Sequence, residues 1–436
     1  MTFRPASHYI NDSLHIDADI LVSALPYFDY IDGVLHIDGV SSLELAKQYG
    51  TPSYVYSQRA ILDNYQAYSR AFASLDHQIC YAVKTNSNLA VLKSLAQIGA
   101  GFDIVSKGEL ARVLQVTDGK KVVYSGVGKT ADDIEYALNA DICCFNVEAV
   151  SELDTISQVA TRLNKTARIS LRINPDVDAK THPYISTGLK SNKFGISHQA
   201  AVQAYLHAKQ LPYLQIVGID CHIGSQLIDI QGFSDALDKL IELIDELKSH
   251  GIHLEHIDLG GGLGVRYIDE NPASVDDFAK LLLPRLRKLG LKLYLEPGRS
   301  LLANAGVLLS RVDVLKPTEF KNFAIIDASM SELIRPALYE AVMAIIPTDT
   351  RNAREIHTWD IVGSVCESSD FLGKDRACGL QVGDILAITG AGAYGFSMAC
   401  NYNSRPRPCE VMVDDGSHRL IRKRESLADL WRDEII

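Results

Sequence analysis

The chain lacks the features that direct proteins to membranes or nucleic acids. No apolar run approaches the roughly 18 residues that a transmembrane helix needs, and the N-terminus has no continuous apolar core of the secretory kind. A net charge of −11 without a marked basic patch argues against nucleic-acid binding. The densest basic run, residues 419–426, is expected to be a solvated surface. These absences predict a cytoplasmic protein that binds neither membrane nor nucleic acid.

The chain contains cysteines, but their spacing does not indicate a metal site. The eight cysteines form no C-x-x-C pair and no typical metal-ligand spacing. Scattered thiols in a large chain are typical of a reducing compartment. The sequence therefore predicts a cytoplasmic protein without a metal site.

A repeating pattern of strands and helices runs from residue 79 to 296. Helix-like segments separate the strand-like runs, and residues 235–251 form the clearest one, with apolar residues every three or four positions and a closing glycine. Alternating strands and helices indicate a parallel sheet. Eight units over about 220 residues predict an α/β fold with a closed (β/α)8 barrel, the main alternative being an open doubly wound sheet. The predicted strands are 79–84, 101–105, 121–125, 142–146, 168–173, 216–222, 256–260 and 291–296.

The alternation of strands and helices stops after residue 303, where strand-like runs follow one another with few helical patterns. This change predicts a second, mostly β domain at the C-terminus. The N-terminal segment is expected to belong to it, because the barrel pattern begins only at residue 41. The predicted domains are a barrel over 41–302 and a β-rich domain formed by 1–40 and 303–436.

Polar residues cluster at the predicted C-terminal ends of the barrel strands, where barrels of this kind place their active sites. The first strand ends in "CYAVKTNSN" and delivers Lys84, whose burial without a partner would be costly. One reading is that Lys84 extends to solvent. The accompanying residues favour the other reading, in which Lys84 lies in a polar site. They are Asp103, Ser106, Glu109, Asn146, Glu148, Arg172, His222, Ser225, Gly260–Gly264, Glu296 and Arg299.

Pyridoxal phosphate is a cofactor that needs a set of this kind. Its aldehyde condenses with a lysine amine, its phosphate suits a glycine-rich loop, and a carboxylate keeps its ring nitrogen protonated. Each residue also has a plainer reading. The glycines could mark only a tight turn, His222 could be a core histidine, and Glu296 could simply pair with Arg299. Together these plainer readings require several independent coincidences.

Several motifs identify a resemblance to a known family. The sequence contains "YAVKTN", "HIGSQ", "DLGGGLG", "EPGRSL", "IRPALY", "CESSD" and "GAYGFSM". These resemble the alanine-racemase-like barrel decarboxylases, which include the diaminopimelate, ornithine and arginine decarboxylases. The resemblance covers residues 27 to 433. Residues 182–196 and 401–413 are most similar to the diaminopimelate branch.

The resemblance implies a role for each matching residue. Lys84 would carry pyridoxal 5'-phosphate covalently, and Cys366 of a partner subunit would act as an acid in a homodimer whose sites are shared across the interface. The implied cofactor contacts are Lys84, His222, Ser225, Gly260, Gly261, Gly262, Glu296, Gly298, Arg299 and Tyr394. The implied substrate contacts are Arg299, Arg335, Tyr339, Glu367 and Tyr394.

The implied reaction is decarboxylation of meso-2,6-diaminopimelate to L-lysine. An arginine together with a glutamate matches the carboxylate and amine at the far end of that substrate. The alternatives are the same chemistry on ornithine, arginine or carboxynorspermidine, and a non-catalytic relative that binds a partner protein. Arg335 could also be an ordinary turn residue and Cys366 a small buried hydrophobe. Ser329 and Ser364 depart from the glycine and proline common in the family, and residues 1–26 extend beyond its usual start.

Overall fold

The computed structural model describes residues 17–177 and 192–436. It divides into two compact units, one formed by 64–265 and 271–300 and the other by the remaining residues. The expected boundary was residue 41. Strand Ser53–Ser57 instead pairs with strands of the second unit, Gly306–Pro317 and Cys409–Asp414. The barrel unit therefore begins later in the chain, within the helix Gln58–Ala71.

The first unit is a closed barrel of eight parallel strands among the described residues, which confirms the predicted fold class. Each strand pairs with the next, and the last pairs with the first, as in Leu295 opposite Ile79. Short apolar runs such as "VVY" form these strands because both of their faces are buried. The strands are His77–Ala82, Gly101–Ile104, Val122–Tyr124, Cys144–Val147, Ala167–Asn174, Leu214–Asp220, His256–Asp258 and Lys292–Leu295. The two-residue strand Ile196–Ser197 pairs beside the fifth.

Helices connect the barrel strands and bury their apolar faces. The longest, Gln231–Ser249, buries Leu237, Leu240 and Leu247 among others, as its three- and four-residue spacing predicts. Ala131–Asn139 begins with a reciprocal cap between Thr130 and Asp133. The other helices are Leu89–Gln97, Lys107–Val113, Val150–Leu163, His198–Gln210 and Val275–Leu289, and the short helix Arg299–Leu302 spans the unit boundary between residues 300 and 301.

The second unit is mostly β. Its main sheet joins, in order, Phe371–Cys378, His357–Val362, Asn322–Ile326, Gly306–Pro317, Ser53–Ser57, Cys409–Asp414 and Ser417–Arg422. Ile345–Pro347 and Ile385–Ile388 pair beside it, and Phe28–Ile31, Val34–Ile37 and Val40–Ser41 form a small sheet. Its core combines N-terminal residues such as Leu35 with Val307 and Val411. Its helices are Ala18–Val22, Ser42–Tyr49 and Arg335–Tyr339.

Candidate active site

Lys84 lies at the rim of the barrel, two residues after the first strand ends. It occupies one helical turn, Val83–Thr85, and not the strand itself as predicted. The turn redirects the chain into the helix that begins after the capping residue Asn88. The Lys84 Nζ lies 3.3 Å from Asp103 Oδ2, and the lysine side chain is 41% exposed while that of Asp103 is fully buried. The ammonium group therefore faces both an opening and a buried carboxylate.

The glycine loop after the seventh strand packs tightly against two other strand ends. A Cβ on Gly261 would lie 2.2 Å from the carbonyl oxygen of Glu296, and one on Gly262 would lie 2.4 Å from that of Gly224. Any larger residue at either position would displace backbone. The glycines therefore do more than turn the chain, because they let the ends of the sixth, seventh and eighth strands meet.

His222 follows the sixth strand and contacts the glycine loop. The Gly261 N–H donates to its Nδ1 at 3.3 Å, which places the ring proton on Nε2. Burial lowers the pKa of His222 well below its usual value, and the charges of Arg172 and Lys84 lower it further. The imidazole is therefore neutral at physiological pH, with a flat face suited to packing against a ring.

Three carboxyl groups meet beneath the rim. Oxygens of Asp220, Asp258 and Glu296 all lie within 4.8 Å of one another. Asn146 Nδ2 donates to Glu296 Oε1 at 3.2 Å, and the Gly260 N–H donates to Asp258 Oδ1 at 2.8 Å. Among the described residues, no hydrogen-bond partner lies within reach of the second oxygen of Asp258 or of one oxygen of Asp220, and both oxygens are buried. Such crowding favours protonation, because buried like charges repel.

The electrostatics of these groups follow from their burial. Burial raises the pKa of Glu296 well above its usual value, and the charges of Asp103, Asp258 and Asp220 add to the effect. Burial likewise raises the pKa of Asp220 and brings that of Asp258 to about 6. Arg172, which donates to Glu148 at 2.7 Å and lies 3.8 Å from Asp220, is a buried cation nearby. The site therefore favours a positive group beside Glu296.

Ser225 and Arg299 are brought together in the barrel unit. The Arg299 Nε and Nη2 both donate to the Ser225 Oγ, at 3.1 and 3.0 Å. With its acceptor side engaged by the guanidinium, the hydroxyl proton is directed elsewhere. Gly298, between Glu296 and Arg299, packs so closely on Thr85 that a Cβ would lie 2.1 Å from its Oγ1. This contact joins the "EPGR" segment to the turn that carries Lys84.

Of the five remaining predicted residues, all in the β-rich unit, Arg335 is the most buried. It begins the helix Arg335–Tyr339, and its guanidinium lies 4.6 Å from the centre of the Tyr267 ring. The arginine is only 5% exposed, so it is no ordinary surface turn residue. Tyr339 ends the same helix and is partly exposed, as is Tyr394, whose φ of +55° is left-handed.

Cys366 and Glu367 are exposed side by side in the β-rich unit, so Cys366 is not a buried hydrophobe. The Cys366 N–H donates to Asn403 Oδ1 at 2.8 Å, and the Tyr402 hydroxyl donates to Glu367 at 3.4 Å. The two unusual serines are hydrogen-bonded nearby: Ser329 Oγ donates to Glu332, and Ser364 Oγ accepts from Arg405. Part of the segment 182–196 and most of the N-terminal extension lie outside the described residues.

Sequence reasoning missed Asp220 and Asp258. Both end barrel strands and interrupt otherwise apolar runs, "IVGID" and "HID". A carboxylate at the end of a buried strand was the available signal. The buried ion pair between Lys129 and Glu152, with atoms 2.8 Å apart, was also missed, because nothing in its spacing reveals burial.

Asp258 gives a prediction about pH and stability. Its folded-state pKa of about 6 exceeds its usual value of 3.8, so this group stabilises the fold below about pH 4 and loses that contribution as pH rises through 6. In cofactor-free protein, Asp258→Asn should therefore raise the melting temperature at pH 8 by a few degrees, corresponding to about 1–3 kcal/mol, with no gain at pH 4. Calorimetry at both pH values measures this. Asp245→Asn, on an exposed helix face, is the control, and an equal gain at both pH values contradicts the prediction.

A lysine amine, a neutral imidazole, a glycine loop and a buried carboxyl lie at one barrel rim, and such a set suits a cofactor with an aldehyde, a flat ring and a phosphate. Residues 58–303 match the family model described as "Pyridoxal-dependent decarboxylase, pyridoxal binding domain". The chain is 56% identical over 415 residues to a diaminopimelate decarboxylase of Vibrio cholerae, covering 94% of this chain and 99% of that one.

Solved structures give the same result. A Helicobacter pylori diaminopimelate decarboxylase complexed with L-lysine is 45% identical, with a TM-score of 0.86 over 89% of this chain and 98% of that one. A corresponding structure from M. jannaschii, also with L-lysine, is 42% identical, with a TM-score of 0.90 over 95% and 98%. The chain belongs to the pyridoxal-dependent decarboxylases and, within them, to the diaminopimelate decarboxylase family. The predicted resemblance and cofactor are thereby confirmed.

Proposed function

We propose that this protein removes one carboxylate from meso-2,6-diaminopimelate and releases carbon dioxide and L-lysine. The observation that carries the proposal is identity of 46–56% with diaminopimelate decarboxylases over 90% or more of the chain. Two relatives with solved structures hold L-lysine, which is the expected product. Within the described residues no helix is long and apolar enough to cross a membrane. The homodimer and the cytoplasmic location stay predictions.

The barrel residues fit pyridoxal phosphate. Lys84 offers an amine that is partly exposed, and Glu296 is a buried carboxyl in a site with an excess of acidic groups. Ser225 and the backbone of Gly260–Gly262 would hold the phosphate, and His222 would lie against the ring. The bound cofactor supplies an electron sink for the pair of electrons left on the substrate carbon when carbon dioxide departs.

Side chains of the protein would control the charge at the cofactor ring and bind the substrate. With the cofactor bound, Glu296 would lie beside the ring nitrogen and, once ionised, would keep it protonated, and the neutral His222 adds no competing positive charge. Arg299 and Arg335 would bind substrate carboxylates, and Tyr339 and Tyr394 are further candidates for substrate contact. Such planar guanidinium groups grip a carboxylate with two hydrogen bonds.

Cys366 and Glu367 have different tasks in the proposal. Glu367 would bind the amine at the substrate's far end, which matches its exposed carboxylate. The Cys366 Sγ, contributed by a partner subunit, would return a proton to the carbon that has lost carbon dioxide. Cys366 is exposed in the single chain, so its thiol is accessible to another subunit.

A substrate panel tests the proposal. Holoenzyme is incubated separately with meso-diaminopimelate, ornithine, arginine and carboxynorspermidine, and carbon dioxide and amine products are measured. We expect kcat/KM for diaminopimelate to exceed the others by about 10³-fold or more, because a site built for a polar group rejects analogues that lack it. Arg335→Gln should narrow that ratio. Faster turnover of any other compound would identify a different substrate, and no turnover of any would favour a binding protein.

A further inference from the structure

Two loops of the β-rich unit, 329–332 and 364–370, meet near Cys366, and two buried carboxyls accept hydrogen bonds from their backbone. Asp370 accepts the Met330 N–H at 2.6 Å through one oxygen and the Val365 N–H at 2.8 Å through the other. Glu332 accepts both the N–H and the hydroxyl of Ser329, at 2.7 and 2.6 Å. Glu332 and Asp370 are 2% and 4% exposed. Each carboxyl therefore fixes backbone that no regular ladder supports.

Arg405 contacts both of these loops from a third segment of the chain. Its Nη1 donates to Ser364 Oγ and its Nη2 to the carbonyl oxygen of Asp327, both at 2.6 Å, while its Nε lies 3.7 Å from Glu332. Burial raises the pKa of both Glu332 and Asp370, and the charge of Arg405 opposes that rise. Arg405 thus adds a positive charge that favours the ionised form of both carboxyls, and it connects the end of the strand Asn322–Ile326 to Ser364.

The segment that Arg405 reaches carries the two exposed functional candidates. Ser364 is followed by Val365 and then by Cys366. The Val365 N–H donates to Asp370, and the Cys366 N–H donates to Asn403. Asn403 is itself two residues before Arg405 and has a left-handed φ of +56°. The backbone that leads into Cys366 is therefore anchored at two successive N–H groups, while the side chains of Cys366 and Glu367 are exposed.

We propose that Arg405 is a positioning residue, which fixes the backbone of 364–367 and so sets where the Cys366 thiol and the Glu367 carboxylate stand. The inference rests on the proposed function for these two side chains. Arg405 would not touch substrate. A displacement of about 1 Å at a reacting group can cost on the order of 10²-fold in rate, so losing such an anchor has a measurable effect on turnover.

A double-mutant cycle tests whether Arg405 acts through Cys366. Arg405→Lys keeps the charge but loses the fork that reaches two acceptors, and we expect kcat to fall about tenfold with a smaller change in KM. In a Cys366→Ala holoenzyme, which is already slow, the same change should cost less than about twofold. Equal losses of kcat in both backgrounds would mean that Arg405 acts independently of the thiol, and would overturn its role in positioning Cys366.

Hydrogen exchange provides a measurement that does not depend on activity. In the holoenzyme, Arg405→Lys should speed exchange of the Val365 and Cys366 amides about tenfold, by local opening. Ser364→Ala, which removes only one acceptor, should have a smaller effect in the same direction and serves if Arg405→Lys fails to fold. Arg351→Lys is the control, since Arg351 contacts Asp349 on the surface.

The outcomes separate the two proposals. Unchanged exchange in both test variants overturns the positioning role. A wild-type enzyme that does not act on diaminopimelate overturns the proposed function, and the exchange experiment then decides the positioning role alone. The cycle is repeated with whichever substrate the panel identifies.

Discussion

Replacing Lys84 by alanine is expected to reduce turnover by about a thousandfold or more, because the amine is the only group proposed to hold the cofactor covalently. Borohydride should fix the cofactor to the wild-type peptide that contains Lys84 and to no peptide of the variant. The visible absorption band of the lysine-bound cofactor should be present in the wild-type holoenzyme and absent from the variant. Mass spectrometry and the absorption spectrum together measure both effects.

The control for this variant must account for Asp103, the ion-pair partner of Lys84. Asp103 is fully buried, and Lys84→Ala removes its ion-pair partner, so folding could suffer for a reason unrelated to chemistry. Adding Asp103→Asn removes that charge, and the double variant should be folded but equally inactive. Lys107→Ala, which removes an exposed lysine paired with Asp132, should keep full activity. Substantial turnover by Lys84→Ala would contradict the covalent role.

The barrel was predictable because its signals are local. Each strand is a short apolar run, and each helix has its own periodicity and caps, as Thr130 and Asp133 show. The unit boundary was not predictable in the same way. Ser53–Ser57 is an ordinary buried strand by sequence, and only its pairing with Gly306–Pro317 and Cys409–Asp414 assigns it to the other unit. Such pairing joins residues hundreds of positions apart and leaves no local pattern.

The site was predicted in part for the same reason. Lys84, His222 and Glu296 follow strands, and strand order alone brings them to one rim. The protonation of Asp220 and Asp258 depends on burial and on distances between three different strands, which a sequence does not contain. Likewise, Arg405 can be recognised as a positioning residue only from the acceptors it contacts, Ser364 Oγ and the Asp327 carbonyl oxygen. Motifs identify groups with intrinsic reactivity, whereas supporting residues are identified by contacts.

Glu296 shows how these buried groups act together, and its removal should have the second large effect. In the cofactor-free barrel, burial raises the pKa of its carboxyl well above the usual value, and the charges of Asp103, Asp258 and Asp220 raise it further. A protonated ring nitrogen beside it would supply the missing positive charge and favour the ionised carboxylate. Glu296→Gln keeps the shape but cannot become negative, so the nitrogen would lose its proton. We expect kcat to fall about a hundredfold.

The Glu296→Gln experiment needs a readout that separates lost chemistry from lost cofactor. The variant should still bind pyridoxal phosphate through Lys84, so borohydride should fix the cofactor to the same peptide as in the wild type. Glu255→Gln, which removes an exposed carboxylate paired with Arg168, should leave kcat unchanged. Wild-type kcat in Glu296→Gln would contradict the role assigned to this carboxylate. Loss of cofactor with normal kcat per bound cofactor would instead assign Glu296 to binding alone, because a charge needed only for affinity does not lower the rate of the loaded site.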